Sequence, residues 1–200
     1  IALARRLNLR LMCRLVKGAY WDAEIKRAQE LGLAHYPVYT HKHHTDTSYL
    51  ACARTLLAAC DAVYPQFATH NAGTLAAVLQ LATQAGASAH EPPRFELQRL
   101  HGMGESLYRE VLKTQSVRLR VYAPVGQHRD LLAYLVRRLL ENGANSSFVR
   151  QMANASHSAG ADRDRLLDDL LASPLRLSQG SALPLPEALY GAQRRGSAGL

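Results

Sequence analysis

Cysteine is sparse in this chain, three in 200 residues, and none falls in a CxxC pair. An odd complement without paired spacing excludes a disulfide-stapled scaffold or a zinc ribbon and points to a reducing compartment. Long apolar runs are missing too; none approaches the roughly 18 residues of a membrane-spanning helix. The stretch Ile1 to Arg14 scatters arginines among apolar residues and has no uninterrupted h-region, so it does not read as a signal peptide. The chain opens on isoleucine rather than methionine and is expected to be cut from something longer. Aromatic residues make up only 6% and are not interleaved with basic ones, as a base-stacking platform requires. The longest basic groups are the doublets Arg5-Arg6, Arg137-Arg138 and Arg194-Arg195. The net charge of +8, from 24 basic and 16 acidic residues, is therefore dispersed. It suits anionic small molecules or an anionic surface better than nucleic acid. GxSxG, Walker and HExxH motifs are all lacking.

What is present is an apolar fraction of 48%, enough for a sizeable core, in an alternation of short β runs and amphipathic helices. Strands are expected over Leu9–Val16, Pro65–Thr69, Phe95–Leu100 and Val117–Pro124. Helices are expected over Asp22–Leu31, from a cap at Thr45 or Asp46 to Val63, from an Asn71 cap to Thr83, after Gly104 to Lys113, and from Arg129 to Glu141 with a cap at Gly143. Four strands, each followed by a helix, imply a parallel sheet. The first turn, LVKGAYWD, lacks the GxGxxG of a dinucleotide fold. Chemistry-capable residues follow every strand, as at the C-terminal face of a (β/α)8 barrel, of which this chain carries about the last four βα units. The organisation expected is residues 1–150 as that half-barrel, 151–177 as a short helical extension containing a helix over Asp162–Leu171, and 178–200 as a Pro/Gly/Ser-rich linker.

Several constellations can carry chemistry. Tyr134, Arg137, Arg138 and Glu141 share a helix face, with Leu131, Leu132, Leu135 and Leu139 as its apolar counterpart. Paired guanidiniums beside a tyrosine suit a planar carboxylate; spacing alone favours a solvated face with an Arg–Glu pair. Arg14 to Trp21 places a cation at a strand end before Gly18-Ala19, where backbone can approach a flat or phosphorylated ligand. The same segment fits a surface lysine and a buried aromatic. Thr69-His70-Asn71 stands at a helix N-terminus, a seat for phosphate or a plain cap. His101-Gly102-Met103-Gly104 is a weak phosphate-loop signal. His41, His43 and His44 lack partners at ligand spacing other than Asp46, so no metal is assigned. Cys13, Cys52 and Cys60 read as buried packing residues. The residues alone leave open another phosphate-binding barrel enzyme, such as an aldolase or isomerase, and a basic nucleic-acid-binding module.

RLVKGAYWDAEIKRAQ (14–29), YPVYTHK (36–42), PQFATHN (65–71), LHGMGE (100–105), VYAPVG (121–126) and YLVRRLLENGANSSF (134–148) together decide more than any one alone. In this order they resemble the proline dehydrogenase domain of the bifunctional bacterial proline utilization flavoenzymes, over nearly the whole chain. PLPEALYGAQRRGSAGL, which closes the sequence, resembles the segment leading to the aldehyde dehydrogenase domain of the same polypeptide. The resemblance implies a distorted (β/α)8 barrel holding FAD at the strand C-termini. It implies oxidation of L-proline to pyrroline-5-carboxylate in proline catabolism to glutamate, with hydride passing to flavin N5 and electrons to a membrane quinone.

Carried over residue by residue, Arg14 is the catalytic cation beside the flavin. Lys17, Gly18, Ala19, Trp21, Thr40, Lys42, Thr69, His70 and Asn71 contact the cofactor, and Glu141 steadies an arginine or a cofactor hydroxyl. Arg137 and Arg138 clamp the proline carboxylate, with Tyr20, Leu100, Tyr122 and Tyr134 shaping the ring pocket. The implied protein is a cytoplasmic homo-oligomer that reaches the inner face of the bacterial membrane, and it binds DNA only through a separate N-terminal segment. The earlier half-barrel of the family is not in this sequence, so the chain alone is expected to bind FAD weakly or not at all and to be inactive.

Overall fold

The computed structural model describes residues 1–18, 20–89, 93–141, 181 and 183–189. The expected cap at Gly143, the helix over Asp162–Leu171 and most of the linker lie outside the described residues. In chain order the elements are α1 (Ala2–Arg6), β1 (Leu11–Val16), α2 (Trp21–Glu30), α3 (Lys42–Leu57), β2 (Val63–Ala68), α4 (Ala72–Gln84), β3 (Glu96–Leu100), α5 (Glu105–Thr114) and β4 (Arg118–Tyr122). A further helix, α6, covers 128–141, and single 3-10 turns stand at Ala87–Ala89 and Pro186–Ala188. None of these helices is long and apolar enough to cross a membrane.

The four strands are parallel and lie in the order β1-β2-β3-β4. Each strand adds beside its predecessor, with no reversal of order. A doubly wound sheet turns back at a switch point, whereas a barrel sheet grows in one direction. Register places Arg14 beside Gln66, Gln66 beside Glu96, Gln98 beside Arg120 and Leu100 beside Tyr122. Because alternate residues share a face, the sheet has two distinct sides. Leu15, Phe67, Leu97 and Leu119 point to the core, where Tyr49, Ala53 and Leu57 of α3, Leu75, Val78 and Ala82 of α4 and Tyr108 of α5 cover them. Each fully buried large side chain there contributes about 1.5–3 kcal/mol of transfer free energy. Met12, Arg14, Gln66, Glu96, Gln98, Arg120 and Tyr122 occupy the opposite, polar side.

Some boundaries move. α3 starts at Lys42, upstream of the Thr45 or Asp46 cap, and ends at Leu57, so Val63 opens β2 instead of closing a helix. LLAAC (56–60) and AVY (62–64) are apolar stretches broken only by Asp61, and periodicity cannot divide so short and apolar a segment between helix and strand. Of the three cysteines read as packing residues only Cys60 is buried; Cys13 is half-buried and Cys52 exposed. The buried stripe of α3 is Tyr49, Ala53 and Leu57, four residues apart, and Cys52 lies beside that stripe.

The described residues fall into two compact units. One comprises 1–17 and 48–141; the other comprises 18–47 and 181–189. In the second unit, Tyr36 donates to the Pro184 carbonyl oxygen at 2.8 Å and accepts from Gln29, and Pro186 is buried.

Candidate functional site

In the first unit the C-terminal ends of the strands gather polar side chains. After β1, Lys17 Nζ donates to Thr74 Oγ1 at 2.8 Å and sits 5.3 Å from the centroid of the Tyr49 ring. After β2, Asn71 caps α4: its Oδ1 accepts from the Thr74 backbone N–H at 2.9 Å. The expected cap is therefore present, and Lys17 is tied to it through Thr74. Thr69 Oγ1 accepts from the Asn71 N–H. The buried Tyr108 hydroxyl donates to the Thr69 carbonyl oxygen at 2.7 Å, so α5 holds the β2–α4 turn.

His70 is the hinge of this arrangement. Its Nε2 accepts from the Leu100 backbone N–H at 2.9 Å, which fixes the ring proton on Nδ1. Nδ1 then donates to Glu141 Oε1 at 3.0 Å. The other carboxylate oxygen accepts from Arg138 Nη1, also at 3.0 Å. The Arg138 guanidinium lies 5.1 Å from the centroid of the Tyr134 ring. A continuous chain thus runs from the β3 backbone through His70 and Glu141 to the arginine on α6. Burial by itself raises the Glu141 carboxyl; the His70 hydrogen bond and the neighbouring positive charges outweigh it and hold the group below the usual carboxylate range.

Arg14 is fixed separately. Its Nε donates to Gln98 Oε1 at 2.9 Å, and the guanidinium stands 5.0 Å from the centroid of the Tyr122 ring. Burial pushes the Tyr122 hydroxyl up, against the opposing Arg14 charge, so it stays a neutral phenol at neutral pH.

The HGMG turn has a different reason from phosphate binding. Gly102 and Gly104 have φ of +80° and +65°, and a Cβ on Gly104 would meet His70 Cδ2 and Tyr108 Cδ2 at 3.4 Å. Gly102 supplies left-handed backbone for the turn, and Gly104 also lets it pass close to the buried histidine. On α6 the face expected to be the apolar one is open: Leu132, Leu135 and Leu139 are 52%, 41% and 71% exposed. Tyr134, Arg137, Arg138 and Glu141 are half-buried, and of the four leucines only Leu131 shares that burial.

The profile of the family described as "Proline dehydrogenase" matches residues 1–151. The chain belongs to the proline dehydrogenase family. It is 54% identical over its whole length to the "Bifunctional protein PutA" of Klebsiella aerogenes, and equally to that of Escherichia coli strain K12. It spans only 16% of the length of these relatives. A solved structure titled "Crystal structure of bifunctional proline utilization A (PutA) protein" superposes on 97% of the chain with a TM-score of 0.74 and 53% identity, 19% of that chain being covered. The four βα units described above are thus part of a (β/α)8-type proline dehydrogenase fold.

Of the seventeen residues assigned from the family pattern, the first unit brings ten into hydrogen-bond or ring contact around the strand ends: Arg14, Lys17, Thr69, His70, Asn71, Leu100, Tyr122, Tyr134, Arg138 and Glu141. Arg137 adjoins them on α6. Gly18, Tyr20, Trp21, Thr40 and Lys42 belong to the second unit, and Ala19 lies outside the described residues. There Trp21 Nε1 donates to the Tyr39 carbonyl oxygen at 2.8 Å, Ser181 donates to Thr40, and Lys42 pairs with Asp46. Sequence reading missed Gln66, Glu96, Gln98 and Arg120, a polar network on the same side of the sheet as Arg14 that reaches it through Gln98. Their alternation with Phe67, Leu97 and Leu119 was the available signal.

Proposed function

We propose that this chain forms the clamping half of an FAD-dependent proline dehydrogenase that oxidises L-proline to pyrroline-5-carboxylate. The observation that carries the reading is Arg138. Its guanidinium is anchored through Nη1, yet its buried Nε has no hydrogen-bond partner among the described residues. An unmet buried donor costs about 1–3 kcal/mol, and a carboxylate is the planar acceptor that a guanidinium edge pairs with. Arg137 and Arg138 bind the proline carboxylate, and Leu100, Tyr122 and Tyr134 shape the space for the ring; Tyr20, in the second unit, is assigned to the ring by the family pattern.

The donor set also suits a phosphate-bearing, electron-rich cofactor. Arg14 and Lys17 are cationic, and Asn71 opens a helix whose N-terminus carries positive dipole. Thr69, His70 and Asn71 would hold it at this helix N-terminus, and Gly18, Ala19, Trp21, Thr40 and Lys42 are assigned to it by the family pattern. FAD held by these residues would supply a two-electron acceptor for the hydride of proline C5, with a quinone as the proposed final electron acceptor. Arg14 contributes a fixed positive charge beside that acceptor, already oriented before substrate arrives. The arginine pair orients the ring, so positioning supplies much of the rate. In the complete polypeptide an aldehyde dehydrogenase domain follows and takes the oxidised product onward.

The test is proline-dependent dye reduction by the full-length polypeptide, with flavin absorbance read in parallel. Arg138→Met removes one or two charge-assisted bonds, about 1.5–3 kcal/mol each, and raises the proline KM by at least about tenfold. An unchanged KM removes the clamp. A full-length protein with no flavin band returns the phosphate-binding barrel alternative.

A further inference from the structure

Glu96 is a charged residue on the polar side of β3 that nothing above uses, and it is only 3% exposed. Its Oε1 accepts from Gln98 Nε2 at 2.7 Å, from Gln66 Nε2 at 2.9 Å and from Arg120 Nε at 2.7 Å; its Oε2 accepts from Arg120 Nη2 at 3.0 Å. Burial alone raises this carboxyl, and the bonds and charge of Arg120 with the two glutamine donors hold it below the usual range. An ionised carboxylate is an acceptor only. Every neighbour must therefore turn a donor toward it, and both glutamines present their amino groups.

For Gln98, 4% exposed, this choice has a consequence at the other end of the amide. Its oxygen is left facing Arg14 Nε, 2.9 Å away. A guanidinium is a donor only, so a Gln98 amide turned the other way round would set two donors against each other. The polarity of the relay is dictated throughout: Arg14 donates to Gln98, and Gln98 donates to Glu96. Engagement through Nε leaves both Nη nitrogens of Arg14 without a hydrogen bond among the described residues.

We propose that Glu96 is a positioning residue, which sets the direction of the Gln98 amide and thereby aims the Arg14 guanidinium at the reacting centre. The proposal rests on the role given to Arg14 above. It assigns Gln98 as the link, and Arg120 with Gln66 as the groups that keep Glu96 ionised and in place.

The test uses full-length, flavin-loaded protein and the variants Glu96→Gln, Gln98→Met and Arg14→Met. Glutamine at 96 loses the charge and can present either end to Gln98, so only Arg14 still constrains the amide and the relay loses its fixed end; Gln98→Met removes the link and leaves the Glu96–Arg120 pair intact. Both variants lower kcat about tenfold, shift the proline KM by less than about threefold, and lower the flavin midpoint potential in the direction of Arg14→Met. The double variant Glu96→Gln/Gln98→Met is no worse than Gln98→Met alone. If Arg14→Met changes both kcat and potential while Glu96→Gln and Gln98→Met change neither, the relay is wrong and the role of Arg14 stands. If Arg14→Met changes neither, the role of Arg14 itself falls. A loss of thermal stability in Glu96→Gln with unaltered kcat and potential identifies a purely structural ion pair and overturns the proposal.

Discussion

Replacing Glu141 with glutamine separates two tasks that one carboxylate performs. In the native arrangement Oε1 receives the Nδ1–H of His70 and Oε2 receives Nη1 of Arg138, each at 3.0 Å. Both partners are donors in this geometry, because His70 Nε2 is already committed to the Leu100 N–H. A glutamine offers one oxygen and one amino group, so one of the two donors must face another donor. The arginine also loses its counter-charge. A charge-assisted bond contributes about 1.5–3 kcal/mol when shielded. The Glu141 side chain is 33% exposed, and solvent screening brings the expected loss toward the lower end, about 1–1.5 kcal/mol. That corresponds to about a five- to tenfold rise in proline KM. The assay is steady-state dye reduction by the full-length polypeptide at saturating FAD, so that any contribution of Glu141 to cofactor binding does not enter. A cycle with Arg138→Met decides whether the effect passes through the arginine: the double variant should have the KM of Arg138→Met to within about twofold. Independent, additive effects, or an unchanged KM in Glu141→Gln, would refute the chain from His70 to Arg138.

Tyr108→Phe removes the donor to the buried Thr69 carbonyl oxygen and should lower unfolding stability by about 1–2 kcal/mol in denaturant titration; an unchanged midpoint would show that the β2–α4 turn does not depend on it. Gly104→Ala forces a Cβ into left-handed backbone and against His70, and should cost about 1–2 kcal/mol, whereas equal stability would mean that the turn relaxes freely. Acid sensitivity follows from Glu96 and Glu141, whose folded carboxyls sit below their ordinary range. Their stabilisation is fully present above the unfolded value, about 4.3, and is lost as pH falls through the lower folded values. The unfolding midpoint should therefore be insensitive to these groups above about pH 5 and drop below it, with a shallower drop in Glu96→Gln. An identical acid slope in that variant would exclude Glu96 as a contributor.

The strand-end residues were legible because each announces itself locally. Asn71 precedes a helix and caps it, Gly104 precedes another, and Arg138 and Glu141 recur at helical spacing on one face. The sheet order was legible for a related reason: a helix after each strand leaves parallel pairing as the short connection. The orientation of α6 was harder, because four leucines opposite a charged face normally mark the buried side. Here the charged face is the half-buried one, since Glu141 has a buried histidine to meet and Arg138 a tyrosine ring to lie on. The Glu96–Gln98–Arg14 relay was legible only as polar positions alternating within single strands, not as a contact. Its members come from β1 and β3, more than eighty positions apart in sequence, and only register brings them together. ELQRL on its own reads as a strand with ordinary alternation, and Glu96 as its solvated acid. What turns that acid into a buried orienting charge is the closure of Arg120 from β4 and Gln66 from β2 around it. A single strand cannot supply three donors to one carboxylate; a parallel sheet with polar residues in register across neighbouring strands can. The same requirement explains why Arg14 reads as a cation at a strand end in sequence but acts as a directed one in the fold: its direction is a property of the amide beside it, which is in turn a property of the acid two residues further back.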